Sequence, residues 1–133
     1  MSDLESGLDA TIADQLLDAL HDVGSYTPAP PVEVRLMTVL GDSDSPGTEV
    51  NGGSYAPQEI TFGSASGGEV SNTGEIEFTD LPSATVVGIE IWDSDDTPRR
   101  IWWGALAEQR TVPAGGALKF AIGEIVVSFT MAS

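Results

Sequence analysis

Ala84-Thr85-Val86-Val87-Gly88-Ile89-Glu90-Ile91-Trp92, followed by Asp93-Ser94-Asp95-Asp96-Thr97-Pro98 and then by Arg100-Ile101-Trp102-Trp103-Gly104-Ala105-Leu106, is the stretch on which the fold turns. β-Branched Val and Ile lose rotamer freedom in a helix and pack well on a pleated surface. Residues 84–92 therefore read as a strand, long enough to lie in the middle of a sheet. Asp, Ser and Pro supply the local hydrogen bonds and the fixed φ that reverse a chain, and residues 100–106 return as its partner. The centre of the protein is predicted to be an antiparallel hairpin.

The same grammar continues on both sides. Pro113-Ala114-Gly115-Gly116 turns the chain into a strand over 117–121, and Ile122-Gly123 precedes a last strand from Glu124 to Met131. Upstream, Glu75-Ile76-Glu77-Phe78-Thr79 alternates, Val70 starts a short strand after the Gly/Ser-rich 63–68, and Tyr55 to Phe62 is another candidate. Residues 41–53 form a long polar loop, while Val32, Val34 and Leu36 alternate with Glu33 and Arg35 as a half-buried strand. Short strands at a spacing of roughly 8–12 residues predict a mainly β protein, an antiparallel β-sandwich or jelly-roll-like domain.

One segment has a different period. Leu8, Ile12, Leu16, Leu20 and Val23 recur at spacings of three and four, with Leu17 widening the stripe, and predict an amphipathic helix over about residues 11–23. Thr11 is the expected N-cap, Asp14 stands in a capping-box-like place, and Gly24 is positioned to end the helix. Tyr26-Thr27-Pro28-Ala29-Pro30-Pro31 cannot continue it. The predicted organisation is an N-terminal helix over 1–24, a Pro-rich linker over 25–31 and a β-sandwich over 32–133, one compact domain overall. The apolar stripe must cover the open end of the sheet or a neighbouring subunit, which makes Leu16 and Leu20 interface candidates.

Composition restricts function more than it assigns it. Asp and Glu number 21 against 5 Lys and Arg, for a formal charge of −16 and a pI near 4.1. Such a field repels nucleic-acid phosphates and anionic lipid, and Arg99-Arg100 is the lone basic cluster, so no nucleic-acid or membrane partner is expected. A single Lys beside four Arg fits a GC-rich genome or a high-salt habitat equally well. Cysteine is absent, which rules out thiolate metal sites and cysteine nucleophiles. No apolar run approaches a membrane span, and the acidic Met1-Ser2-Asp3-Leu4-Glu5 is unlike a signal peptide, so synthesis in the cytoplasm is expected.

Little catalytic chemistry is visible. His21, the one histidine, ends an acidic helix, where a cation is favoured. No serine stands in a nucleophile-elbow context to use it. Asp42 and Asp44 in one turn, and Asp93, Asp95 and Asp96 in another, are weak calcium candidates. Neither stretch continues into an EF-hand loop, and Asp is also what turns need. Gly52-Gly53 and Gly67-Gly68 lack the spacing and lysine of a phosphate loop. Trp102 and Trp103 face opposite sides of a strand, so one is expected in the core and the other exposed or at an interface. Both are kept as interface candidates, ahead of a carbohydrate platform. No catalytic, cofactor-binding or firm metal residue is assigned, and no cofactor is expected.

The order of features resembles a known family. Leu16-Leu17-Asp18-Ala19-Leu20 leads through Gly24-Ser25-Tyr26-Thr27-Pro28 to the strand Val32–Leu36. Gly52-Gly53-Ser54-Tyr55-Ala56 and Gly74-Glu75-Ile76-Glu77-Phe78 precede the hairpin of Val87-Gly88-Ile89-Glu90-Ile91-Trp92-Asp93 and Trp103-Gly104-Ala105-Leu106. Thr111-Val112-Pro113-Ala114-Gly115-Gly116 with Leu118-Lys119-Phe120 completes it. This pattern, from about residue 12 onward, is similar to the small tailed-phage virion proteins called tail fibre proteins, and in phages of actinobacteria head decoration or minor tail proteins. The resemblance implies a non-catalytic virion part present in many copies. The expected role is a capsid decoration protein on the outer shell that reinforces capsomer contacts, with the major capsid protein as partner and a trimer of this chain as the assembly. The alternatives are a tail- or tail-fibre-associated protein touching a host-surface glycan, or a carbohydrate- or calcium-binding β-sandwich module.

Overall fold

In the computed structural model, which describes residues 6–128, the elements follow in the order β1 (Ser6–Leu8), α1 (Ala10–Leu20), β2 (Glu33–Val39), β3 (Thr48–Glu49), β4 (Gln58–Glu59), β5 (Glu69–Ser71), β6 (Ile76–Leu81), β7 (Ala84–Trp92), β8 (Arg100–Val112), β9 (Gly116–Phe120) and β10 (Val126–Ser128). The hairpin read from the sequence is β7–β8. It lies inside a sheet of order β1-β8-β7-β2, with β3 and β4 sharing the far edge of β2. Two ribbons, β6-β9 and β5-β10, complete the described strands. All pairings among the named strands are antiparallel.

Alternation explains the core. Val34 and Leu36 of β2 pair with Ile91 and Ile89 of β7, and they pack with Ile76, Phe78 and Leu81 of β6 and with Leu118 and Phe120 of β9. Phe78 meets Phe120 edge-on at 6.4 Å and stacks on Tyr55 at 6.0 Å. The ribbons thus close one face of the large sheet, giving the expected sandwich with its second layer divided in two. Asn72, 1% exposed, ties that layer together. Its amide donates to the carbonyls of Gly74 and Ala121, and its oxygen accepts from the Ile125 N–H.

Several boundaries differ from those predicted, each for a physical reason. The strand expected over 55–62 shrinks to Gln58–Glu59, preceded by Pro57, which has no N–H to give a ladder. The 41–53 loop folds back so that Thr48–Glu49 pairs with β2. β8 runs on to Val112 because a bulge absorbs the polar Glu108-Gln109. Val86 pairs with Arg110 and Gly88 with Ala105, so residues 106–109 stand opposite Val87 alone. Val86 and Ile91 both lie in the core although they are five positions apart, an odd step that strict alternation would put on opposite faces, so alternation is reset at this shift. The last strand is described over Val126–Ser128; residues 129–131 of the expected strand lie outside the described residues.

Leu8 belongs to β1, not to the helix, and pairs with Trp102. The N-cap is Asp9, whose carboxylate accepts from the Thr11 N–H at 3.1 Å; Thr11 is already inside the helix. The helix stops before Gly24. Asp22 takes the left-handed position at φ 60°, and the N–H groups of Asp22 and Val23 donate to the carbonyls of Ala19 and Asp18. His21 does stand at the helix end, its ring nitrogen 2.8 Å from the Leu17 carbonyl. At 11 residues, α1 is too short to cross a membrane.

The opposite face of the large sheet is covered by the 41–47 loop. Gly88 permits this: a β-carbon there would stand 2.7 Å from the Leu40 side chain and 2.5 Å from the Gly104 carbonyl. Under the loop lie Glu90, 0% exposed, and Arg100, 3% exposed. Arg100 donates to Asp9 through Nε (2.9 Å), to Glu90 through Nη1 (3.2 Å), and to the carbonyls of Ser45 and Asp42. Glu90 also accepts from the Gly47 N–H at 2.8 Å and from the Trp92 indole at 3.0 Å. Asp9 therefore caps α1 and receives Arg100 with the same carboxylate. Removing one member of a buried pair costs about 3–5 kcal/mol, because the other charge stays behind unpaired. Glu90→Ala is expected to lose that much in urea unfolding, and Glu90→Met with Arg100→Met to lose less than the two single changes summed. A loss below about 1 kcal/mol for Glu90→Ala would show that the pair is not what holds the loop.

Candidate partner-binding surface

Among the described residues β8 and β10 are not paired, and a cleft of about 800 Å³ opens between them. Its apolar lining includes Ile91, Trp102 and Leu106 on one side and Phe120, Ile125 and Val127 on the other. Its rim is polar. Arg110 lies over the Phe120 ring at 5.2 Å and donates to Glu124 at 2.7 Å. The Ala121 N–H, seconded by Arg110, holds the Glu124 carboxyl below its ordinary range. A smaller hollow of about 310 Å³, between Leu16, Phe62, Val70, Trp102 and Val127, adjoins it. Trp102 lines both.

The residues singled out in the sequence are distributed unevenly around this surface. Leu16 and Trp102 share the smaller hollow. Trp103 points to the other face of the sheet and is 8% exposed, with its indole nitrogen buried without a hydrogen-bond partner. It is packed largely inside this chain and also contributes to the lining of the larger cleft. Leu20 is 78% exposed, beside Leu17 at 55% and Val23 at 74%, so of the helical stripe Ile12 alone is fully buried.

The two aspartate turns are occupied with backbone. Asp42 accepts from the N–H groups of Asp44 and Ser45, and Asp44 is exposed. Asp93 is 1% exposed. It accepts from the N–H groups of Arg99, Ala29 and Asp95 and from the Arg99 guanidinium, while Asp95 and Asp96 face solvent. Among the described residues no group of three or more His, Asp or Glu side chains is arranged to hold a metal ion.

Besides the Glu90–Arg100 pair and the Asp9 cap, two features were missed in the sequence. Residues 26–31 are a strap on the hairpin turn: Arg99 donates to the Thr27 carbonyl and lies 4.8 Å over the Tyr26 ring, and Ser94 donates to the carbonyls of Ala29 and Pro31. Pro30-Pro31 is a cis peptide within it. The signal was present in Arg99 following an Asp-rich turn. The second feature is Tyr55, whose hydroxyl donates to Glu49 and accepts from the Leu36 N–H. Burial and the Glu49 carboxylate push its pKa far up.

The arrangement is a rigid sandwich with an apolar, tryptophan-bearing flank and no assembled catalytic group among the described residues. A family model described as Podophage GP4 fiber I protein gp80 matches residues 7–128. The chain belongs to this family. The match runs from β1 to the end of β10 and thus covers every described element. A comparison with curated proteins finds no match. The resemblance to tailed-phage virion proteins is borne out in its fibre form: this is a phage fibre-type virion protein.

For a fibre-family chain, a strap pinned by a buried carboxylate has a pH signature. Burial alone would raise the Asp93 carboxyl, but the hydrogen bonds from the Arg99 N–H, its guanidinium, Ala29 and Asp95 outweigh it and hold the pKa below the ordinary value. A depressed folded-state pKa contributes stability above the unfolded value of about 4, lost as pH falls through the folded value. Asp93→Asn is expected to cost about 2 kcal/mol at pH 7 and to flatten the acid limb of the stability curve below about pH 4. An acid limb in the variant as steep as in the parent would assign the effect to other carboxylates.

Proposed function

We propose that this protein is a non-catalytic, tail-fibre-associated component of the phage particle. The observation that carries the reading is the match to a fibre family across residues 7–128. It favours the fibre role over capsid decoration, and on this reading the partner is a tail component in place of the major capsid protein. Two physical features support a binding part over an enzyme. One histidine and no cysteine leave few groups for general acid–base or nucleophilic work, and the aspartates nearest to a cluster are engaged by turns. The apolar flank around Trp102 is the surface through which copies of the chain associate, as a trimer.

Quantifying the chain in purified particles tests this reading. A few copies per particle, in a multiple of three, is expected. Hundreds of copies would return the assignment to capsid decoration, and complete absence from the particle would overturn both. Light scattering of the isolated protein is expected to give three times the 13.9 kDa chain mass.

A further inference from the structure

The exposed end of α1 is a second apolar surface, and its chemistry defines what covers it. On the helical wheel Leu17 and Leu20 form the edge of the apolar stripe furthest from the buried Ile12, and Val23, just past the helix end, is exposed as well. The next positions around the wheel are Asp14 and Asp18, and Asp22 adds a third exposed carboxylate at the end. The last turn carries no basic residue. Asp18 and Asp22 lie at the negative end of the helix dipole, and carboxylates placed there beside an apolar edge have an unfavourable self-energy that a cationic neighbour relieves.

At this end of α1 the chain's own basic group, His21, is engaged with the Leu17 carbonyl, and the chain has no unpaired Lys or Arg to add. Each of its five Lys and Arg side chains is already paired with an acid: Arg35 with Glu49, Arg99 with Asp93, Arg100 with Asp9 and Glu90, Arg110 with Glu124, and Lys119 with Glu75. A second copy docked here would set aspartates against aspartates or break an ion pair of its own. We propose that the α1 edge of Leu17, Leu20 and Val23 docks into an apolar hollow rimmed by Lys and Arg on a different protein of the particle. This rests on the fibre-associated reading above and is distinct from the Trp102 flank, through which copies meet.

The test uses assembled particles. Leu20→p-benzoylphenylalanine is introduced in the full chain, irradiated in the purified particle, and the cross-linked peptides are identified by mass spectrometry. Cross-links to an apolar, Lys/Arg-flanked segment of another virion protein are expected. In parallel, Asp14→Lys with Asp18→Lys is expected to leave the melting temperature unchanged and to reduce incorporation into particles at least tenfold. Cross-links to a second copy or to the same chain would overturn the proposal, as would incorporation of the charge-reversed protein at the parent level. If the parent chain itself is missing from particles, the functional reading falls with it. If the parent is present and Leu20 cross-links to its own kind, this inference alone falls.

Discussion

A buried guanidinium organises this protein. Arg100 sits under the 41–47 loop with Glu90, and through Asp9 it reaches the first turn of α1. A charge taken out of water is tolerated only when its hydrogen-bonding positions are filled. Here they are filled by groups from three separated parts of the chain, the helix cap, the loop carbonyls and Glu90 of the central strand, and Glu90 in turn accepts from the Gly47 N–H of the same loop. None of these parts can move alone without leaving a donor or acceptor unpaired. The outer face of a sheet that would ordinarily face solvent is thereby closed by a loop of almost entirely polar residues.

The hairpin 84–106 was legible because β-branched alternation and turn chemistry are local properties, written in neighbouring residues. The buried pair was not. Glu90 occupies a place in the alternation that suits a solvent-facing acid, and Arg100 reads as half of a surface basic cluster; their contact depends on a loop more than forty residues upstream. The helix illustrates the same limit. Its period was plain in Ile12, Leu16 and Leu20, but period tells which face is apolar and not what it meets. Asp9 as N-cap was hidden behind Thr11, an equally good capping residue by type, and was selected by its second partner, Arg100. Of the candidate surface, Trp102 and Leu16 were readable as apolar residues needing a neighbour. That they share one hollow depends on a gap between β8 and β10 that no local pattern encodes.

The charge of the chain also means more in three dimensions than in composition. A count of 21 acids to 5 bases describes an acidic surface. The ion pairs describe something narrower: each cation stands beside an acid, Arg100 buried under the loop, Arg99 and Arg35 half-covered at the strap and the edge of β2, and Arg110 and Lys119 exposed. The unpaired charges that remain outside are acidic, and apolar patches lie at the end of α1 and along the Trp102 flank. For a component of a fibre-type assembly, such patches are where neighbours can be held by contact while the rest of the surface keeps other molecules away.

The bulge in β8 gives the sheet a place where its two central strands stop counting residues against each other. Residues 106–109 are spanned by a single residue of β7, so that segment works as an expansion joint. Chain can be gained or lost there while the ladder from Arg100 to Ala105 and that from Arg110 to Val112 keep their partners.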